Sequence, residues 1–188
     1  GQSGFTASVA SLSDGDSWGI GVDFVHSFAG KFDFGLTLLR HSFDEALWGP
    51  DYNGYSIAPR VAYALVRPEN GAGFGFDLGT AYQHGSFSGN FSSTSSAFRV
   101  GGELYYSVAS SGGVKFFPAL GVAFQNTDVN YSGFGYPVTD GNVSDVVLDV
   151  SIDLVLNQRV VFSPSVSFFD KNTTMALSVG LSFPGARF

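Results

Sequence analysis

Large apolar side chains alternate with very small ones along much of this chain. Trp18, Ile20, Val22 and Phe24 are separated by Gly19, Gly21 and Asp23. Phe74, Phe76 and Leu78 are separated by Gly75 and Asp77, and Met175, Leu177, Val179 and Leu181 by Ala176, Ser178 and Gly180. A repeat of two residues is the repeat of a β-strand, which sends successive side chains to opposite faces of a sheet. The informative face is the second one. A half-buried strand of a water-soluble protein turns Lys, Glu, Thr and Arg to solvent. Here Gly, Ala and Ser occupy that parity, with an occasional charge. The small parity therefore suits a cramped interior, and the large apolar parity is left to meet the surrounding medium. Lipid is the medium that tolerates it.

The pattern predicts about ten strands, over 5–12, 18–26, 32–43, 55–66, 74–84, 98–108, 114–127, 146–156, 160–169 and 175–183. Most have the length of a tilted membrane crossing. The connections at 27–31, 67–72, 109–113 and 157–159 are short, and those at 44–54, 85–96 and 128–145 are long. Alternation of tight turns with long loops is expected of a barrel whose two ends face different compartments. The connections at 13–17 and 170–174 are also short and depart from it. The expectation is an all-β fold over 1–188, a single transmembrane antiparallel up-and-down β-barrel of about ten strands, with eight as the alternative.

Composition points the same way. Hydrophobic residues make up 44% of the 188 residues and aromatics 16%, twenty of them Phe, whereas charged residues reach only 13%. That is about half the charged share of an ordinary soluble domain, too little for a soluble barrel's outer surface. No run approaches the roughly 20 apolar residues of a membrane helix, which leaves the closed barrel as the structure able to satisfy its backbone in lipid. The opening Gly1-Gln2-Ser3-Gly4 carries no secretory signal and reads as a processed end. Cysteine is absent, and a net charge of −7 argues against a nucleic-acid partner.

In this alternation and loop pattern the chain resembles the small bacterial outer-membrane barrels of the OmpA/OmpX type. The resemblance is architectural and spans nearly the whole chain. It implies residence in the bacterial outer membrane with both termini in the periplasm. It also implies outer-membrane lipid and lipopolysaccharide as surroundings, and passage through the barrel assembly machinery. Such barrels end on an aromatic residue read during assembly; Phe183 and Phe188 are the two candidates.

Parity assigns the side chains. Aromatic girdles are expected at the two interfaces: Trp18, Tyr55, Tyr82, Phe98, Phe124 and Phe168 at the outer end, and Phe24, Phe32, Tyr63, Phe74, Tyr106, Phe116 and Phe183 at the inner. Pro59, Pro118 and Pro164 fall in mid-strand, where each removes a ladder donor, so local bulges or distortions are expected. The mid-strand charges Asp23, Asp33, Arg60, Asp77, Arg99, Glu103, Lys115, Asp149 and Asp153 all take the small parity and form a candidate lumen network. A charge facing lipid near the midplane costs several kcal/mol, which is why this consistency matters. Asp23 and Asp33 are expected to face each other across the second turn, relieved by Lys31 or Lys115, by a retained proton or by a bound cation. The network reads either as a salt-bridged plug or as a narrow passage whose excess acids favour cations.

No metal motif, phosphate loop, dinucleotide fingerprint or nucleophile elbow is present, and no cofactor is implied. His84-Gly85-Ser86 is similar to the His-x-Ser of outer-membrane lipid A deacylases, but Glu103, the nearest third member, has the opposite parity. His41, Asp44 and Asp51 lack the spacing of a protease pair. The long loops are rich in aromatics set among Gly, Ser and Asn: Trp48 and Tyr52, Phe87 and Phe91, then Tyr131, Phe134 and Tyr136. Rigid aromatics among small adaptable residues also make up binding surfaces. The function expected is therefore a non-enzymatic barrel, structural or binding and adhesive through these loops, toward an extracellular ligand or partner protein. A cation-favouring passive pore is the alternative, and a deacylase-like or protease-like enzyme the third.

Overall fold

A computed structural model of the chain describes residues 2–12, 17–28, 31–43, 52–66, 71–87, 91–109, 113–133, 139–157, 159–170 and 172–182. Ten strands close into one barrel: β1 (Gln2–Leu12), β2 (Ser17–Phe28), β3 (Phe32–Phe43), β4 (Tyr52–Val66), β5 (Gly71–Phe87), β6 (Phe91–Ala109), β7 (Val114–Gly133), β8 (Thr139–Leu156), β9 (Val160–Phe169) and β10 (Asn172–Ser182). Each strand pairs antiparallel with its sequence neighbours, and β1 pairs with β10 to close the ring. No helix occurs among the described residues. Closure leaves no unpaired edge, the condition for a sheet to sit in hydrocarbon.

The register sets the large parity outward. Val22 pairs with Leu38, Leu78 with Val100, Leu104 with Leu120, and Val150 with Val166. Apart from the half-buried Val166, these side chains are exposed on the outer surface, as are Phe5, Ile20, Phe76 and Leu177. The few buried residues are small: Ala64, Ala123, Ser27, Ser107 and three valines. Among the described residues no large side chain is fully buried, and the apolar parity is left facing outward.

Strand lengths are uneven. β5 to β8 run for 17, 19, 20 and 18 residues, against 10 to 12 for β1, β2, β3, β9 and β10. Much of what reads as loop at 85–96 and 128–145 is paired sheet. Ser86 pairs with Ser92, Phe87 with Phe91, Asn130 with Asp140, and Tyr131 with Thr139. The sequence misleads here because a sheet wet on both faces needs no apolar alternation, and Ser, Thr and Asn then look like loop residues.

At the three prolines the ladder is distorted without a bulge. Opposite Pro59 the β4–β5 ladder passes from Ile57↔Tyr82 to Arg60↔Gly79 with the register unchanged. Near Pro118 the β6–β7 ladder passes from Tyr105↔Ala119 to Val108↔Phe116 in the same way, and near Pro164 the β8–β9 ladder from Ser151↔Ser165 to Leu154↔Phe162. Each ring costs the ladder a short interruption on one side and nothing else. The single register shift lies between Ala64 and Val66, in a stretch without proline.

The seam between β1 and β10 is the tightest point of the wall. A Cβ on Gly180 would lie 2.2 Å from the Phe5 carbonyl oxygen and 2.6 Å from Thr6 Cα. Both are backbone atoms and cannot step aside. Gly180→Ala is therefore expected to impair barrel closure, seen as loss of the compact, heat-modifiable species on gels. Gly141→Ala, with nothing within 4 Å of the added carbon, is the neutral control.

Candidate functional site

The lumen is the first candidate. Asp23, Asp33, Arg60, Asp77, Arg99, Glu103, Lys115, Asp149 and Asp153 all take the inward parity of their strands. The structure brings four of the strands together through Arg99. Its Nη2 donates to Asp149 Oδ2, and its Nε lies 3.7 Å from Asp77 Oδ2. Asp77 is on β5, Arg99 on β6 and Asp149 on β8, so the guanidinium reaches across β7, where the floor is Ala123 and Gly121. Ser167 on β9 donates to the other oxygen of Asp149 at 2.6 Å. Ser163, also on β9, donates to Asp153.

The small parity explains how these long side chains fit. They lie flat on glycine. A Cβ on Gly101 would fall 2.9 Å from Asp77 Oδ1, so the glycine makes room for the carboxylate that Arg99 holds. A Cβ on Gly73 would fall 2.1 Å from the Tyr105 ring. Tyr105 crosses that glycine inside the barrel and donates its hydroxyl to the Val66 carbonyl at 2.8 Å, tying β6 over β5 to β4. Tyr105 was not singled out by the sequence, although its place opposite Gly73 on the inward parity is the signal that marks it.

The other acids are dispersed. Asp23 does not face Asp33: Asp23 pairs with Thr37, and Asp33 with Ser27. The β2–β3 turn closes with Phe28 opposite Phe32, and that register sets the two acids on separate rungs. Thr6 on β1 donates to Asp23 at 3.2 Å. Lys115 stands on β7 opposite Val155, well round the wall from β2 and β3. Arg60 and Glu103 face inward yet are exposed, so water reaches the lumen around them.

The outer surface is the second candidate. Trp18, Tyr55, Tyr82, Phe98, Phe124 and Phe168 ring one end on the outward parity, all exposed. Phe24, Phe32, Tyr106 and Phe116 are exposed at the other end, with Tyr63 and Phe74 half-buried beside Phe32 and Phe76. Beyond Phe98 and Phe124 the outward face turns polar. Asn126 donates to Asn142 at 3.1 Å and to Ser144 at 2.8 Å, Asn142 donates to Asp128, and the hydroxyls of Ser92 and Ser132 are 2.8 Å apart. Tyr131 faces inward there and is 38% exposed. Tyr52, Phe87 and Phe91 lie within paired strands. Trp48, Phe134, Tyr136, Phe183 and Phe188 lie outside the described residues, as do Asp44 and Asp51.

Among the described side chains of the strands, charge on the outward parity lies at the polar end. Arg40 pairs with Ile20 and Tyr55, and Asp128 with Ser96 and Asn142. Both depart from the rule that strand charges face inward. His84 also faces outward and packs its ring on Tyr55, centroids 5.6 Å apart, while Glu103 faces the lumen, so the two do not meet. His41 faces inward between Gly19 and Gly54. Among the described residues no cluster of His, Asp and Glu has the arrangement of a metal site.

No protein-family model matches the chain, and no curated protein matches it in sequence. Solved structures do. The translocator domain of the autotransporter NalP from Neisseria meningitidis superposes with a TM-score of 0.57 at 10% identity, over 97% of this chain and 87% of that one. The β domain of the Bordetella autotransporter BrkA gives 0.57 at 12% identity, over 97% and 98%. The outer membrane protease OmpT from Escherichia coli gives 0.54 at 8% identity, over 97% and 94%. The structural neighbours of this chain are outer-membrane barrels. At these identities the likeness is one of fold, and it spans both autotransporter barrels and an enzyme.

Proposed function

We propose that this protein is an integral outer-membrane barrel, non-enzymatic, that binds at the cell surface through the sheet formed by the extended ends of β5 to β8. One observation carries the reading. These strands stay paired past the last aromatic row, and there the outward face changes from Tyr82, Phe98 and Phe124 to Ser96, Asn126, Asp128, Asn142 and Ser144. From Asn126 to the end of β7 at Gly133 is on the order of 25 Å of strand, at about 3.3 Å per residue. That is a rigid polar platform standing clear of the membrane. It supports placing this end outside the cell and both termini in the periplasm. Outer-membrane lipid and lipopolysaccharide then surround the wall, the barrel assembly machinery handles the chain on its way in, and the platform faces an extracellular ligand or partner protein.

The test is to shorten the platform. Joining Tyr82 to Ser96, and Asn126 to Ser144, each through an Asn-Gly turn, removes the hairpins and keeps the membrane wall. The shortened protein is expected to retain heat-modifiable mobility, while attachment of cells displaying it falls to that of cells without it. Unchanged attachment would overturn the reading.

A second reading, a narrow cation-favouring passage, is favoured by the exposure of Arg60 and Glu103 inside the barrel and by the excess of acids there.

A further inference from the structure

The lipid-facing wall is not uniform. Along β10, β1, β2, β3 and β4 the outer surface is dented into a shallow apolar groove of about 910 Å³. Its floor is Ala7, flanked on one rung by Val179 and Val22 and continued by Leu38. At its upper end stand Arg40 and Tyr55, paired with each other across β3 and β4. Arg40 is the one Lys or Arg on the outward parity of the described strands. It is exposed, and no carboxylate among the described residues pairs with it. Tyr55 belongs to the aromatic row that marks the interface, so the guanidinium is held at headgroup depth.

We infer that this groove is a binding site for one phosphorylated membrane lipid, with an acyl chain along the Ala7 dent and a phosphate on the Arg40 guanidinium. The chemistry is complementary. A guanidinium matches phosphate with two parallel hydrogen bonds, and the interface strengthens them by removing competing water. Arg40's rung neighbours are Ile20 and Tyr55 and the next outward pair is Ser42 and Asn53, so no carboxylate among the described residues competes with an external anion there. The chain itself carries a net −7, so attraction for an anionic lipid is local to this site. The inference rests on the orientation proposed above, because it then commits to the outer leaflet. The occupant is the phosphorylated glycolipid anchor of lipopolysaccharide.

The test uses the full-length barrel, folded in detergent doped with bis-phosphorylated lipid A, with retained lipid counted by native mass spectrometry. Wild type is expected to retain one lipid A. Arg40→Gln is expected to lower apparent affinity about ten-fold, the equivalent of one charge-assisted hydrogen bond lost. Arg40→Lys should retain an intermediate amount, since a point charge replaces the fork. Ala7→Phe should weaken retention with Arg40 intact, because it fills the dent. Heat-modifiable mobility identifies folded variants. Equal retention by wild type and Arg40→Gln would overturn the site, as would equal retention of dephosphorylated lipid A or preference for phosphatidylglycerol. An epitope inserted between Phe87 and Phe91 separates this from the orientation. If the tag is accessible on intact cells and Arg40→Gln still retains lipid, the site alone fails. An inaccessible tag overturns the orientation, and the choice of lipid A with it.

Discussion

Arg99→Met is expected to destabilise the barrel by about 2 kcal/mol and to raise its conductance. The arginine serves two carboxylates, Asp77 and Asp149, from strands on either side of it. Removing one partner of a fully buried ion pair costs roughly 3–5 kcal/mol, because the remaining charge is left unpaired. Here the side chains are 32%, 17% and 24% exposed, so lumen water screens part of that penalty. Urea unfolding in lipid, followed by Trp18 fluorescence, measures it. The double variant Arg99→Met with Asp149→Asn should cost less than the sum of the two singles, since the second change neutralises a charge the first left behind. The same arginine crosses the interior from β6 to β8. Wild type in planar bilayers is expected to conduct weakly, and Arg99→Met several-fold more, with cation preference from the freed acids. An anion-selective current from the variant would defeat the cation-passage reading.

Val150→Arg is expected to cost about 2–4 kcal/mol, the range for a cation on a barrel's lipid face at the midplane. Val150 sits midway along the outward parity of β8, between Val146 and Leu154, and its rung neighbours Leu120 and Val166 are apolar. One residue on, Ser151→Arg should cost less than about 1 kcal/mol. Ser151 faces the lumen, with Asp149 and Asp153 on the same face of its strand. The contrast isolates parity, because the substituent and depth are the same. Equal losses at the two positions, measured in the same urea assay, would show that the strand does not present its faces as described.

Inward and outward parity could be read along most strands before any coordinates, because a strand has one degree of freedom that matters here and the alternation marks it. Gly19 and Gly21 against Ile20 and Val22 leave little doubt which side is which. The same reasoning failed where polarity ceases to distinguish faces. The ends of β5 to β8 are polar on both sides, so they read as loops. At the prolines the sequence leaves bulge and distortion open, because the loss of a donor is local knowledge, whereas holding register depends on the bonded residues on either side. Asp23 and Asp33 are not face to face because the position of the turn decides the register, and the turn at Phe28 and Phe32 pairs Asp23 with Thr37, four residues beyond Asp33.

The sequence alone determined that this protein is a greasy-coated, polar-lined antiparallel barrel, since alternation, charge scarcity and strand length are properties of the chain taken locally. Only the tertiary structure decided which side chains meet. Arg99 reaches Asp149 because the paired strands β6, β7 and β8 bring the two within range across the small inward residues Gly121 and Ala123 of β7. Arg40 stands over an apolar dent because β10, brought round to β1, completes its far side. Both arrangements join residues distant in sequence, the first through strand pairing across β7 and the second through closure of the ring.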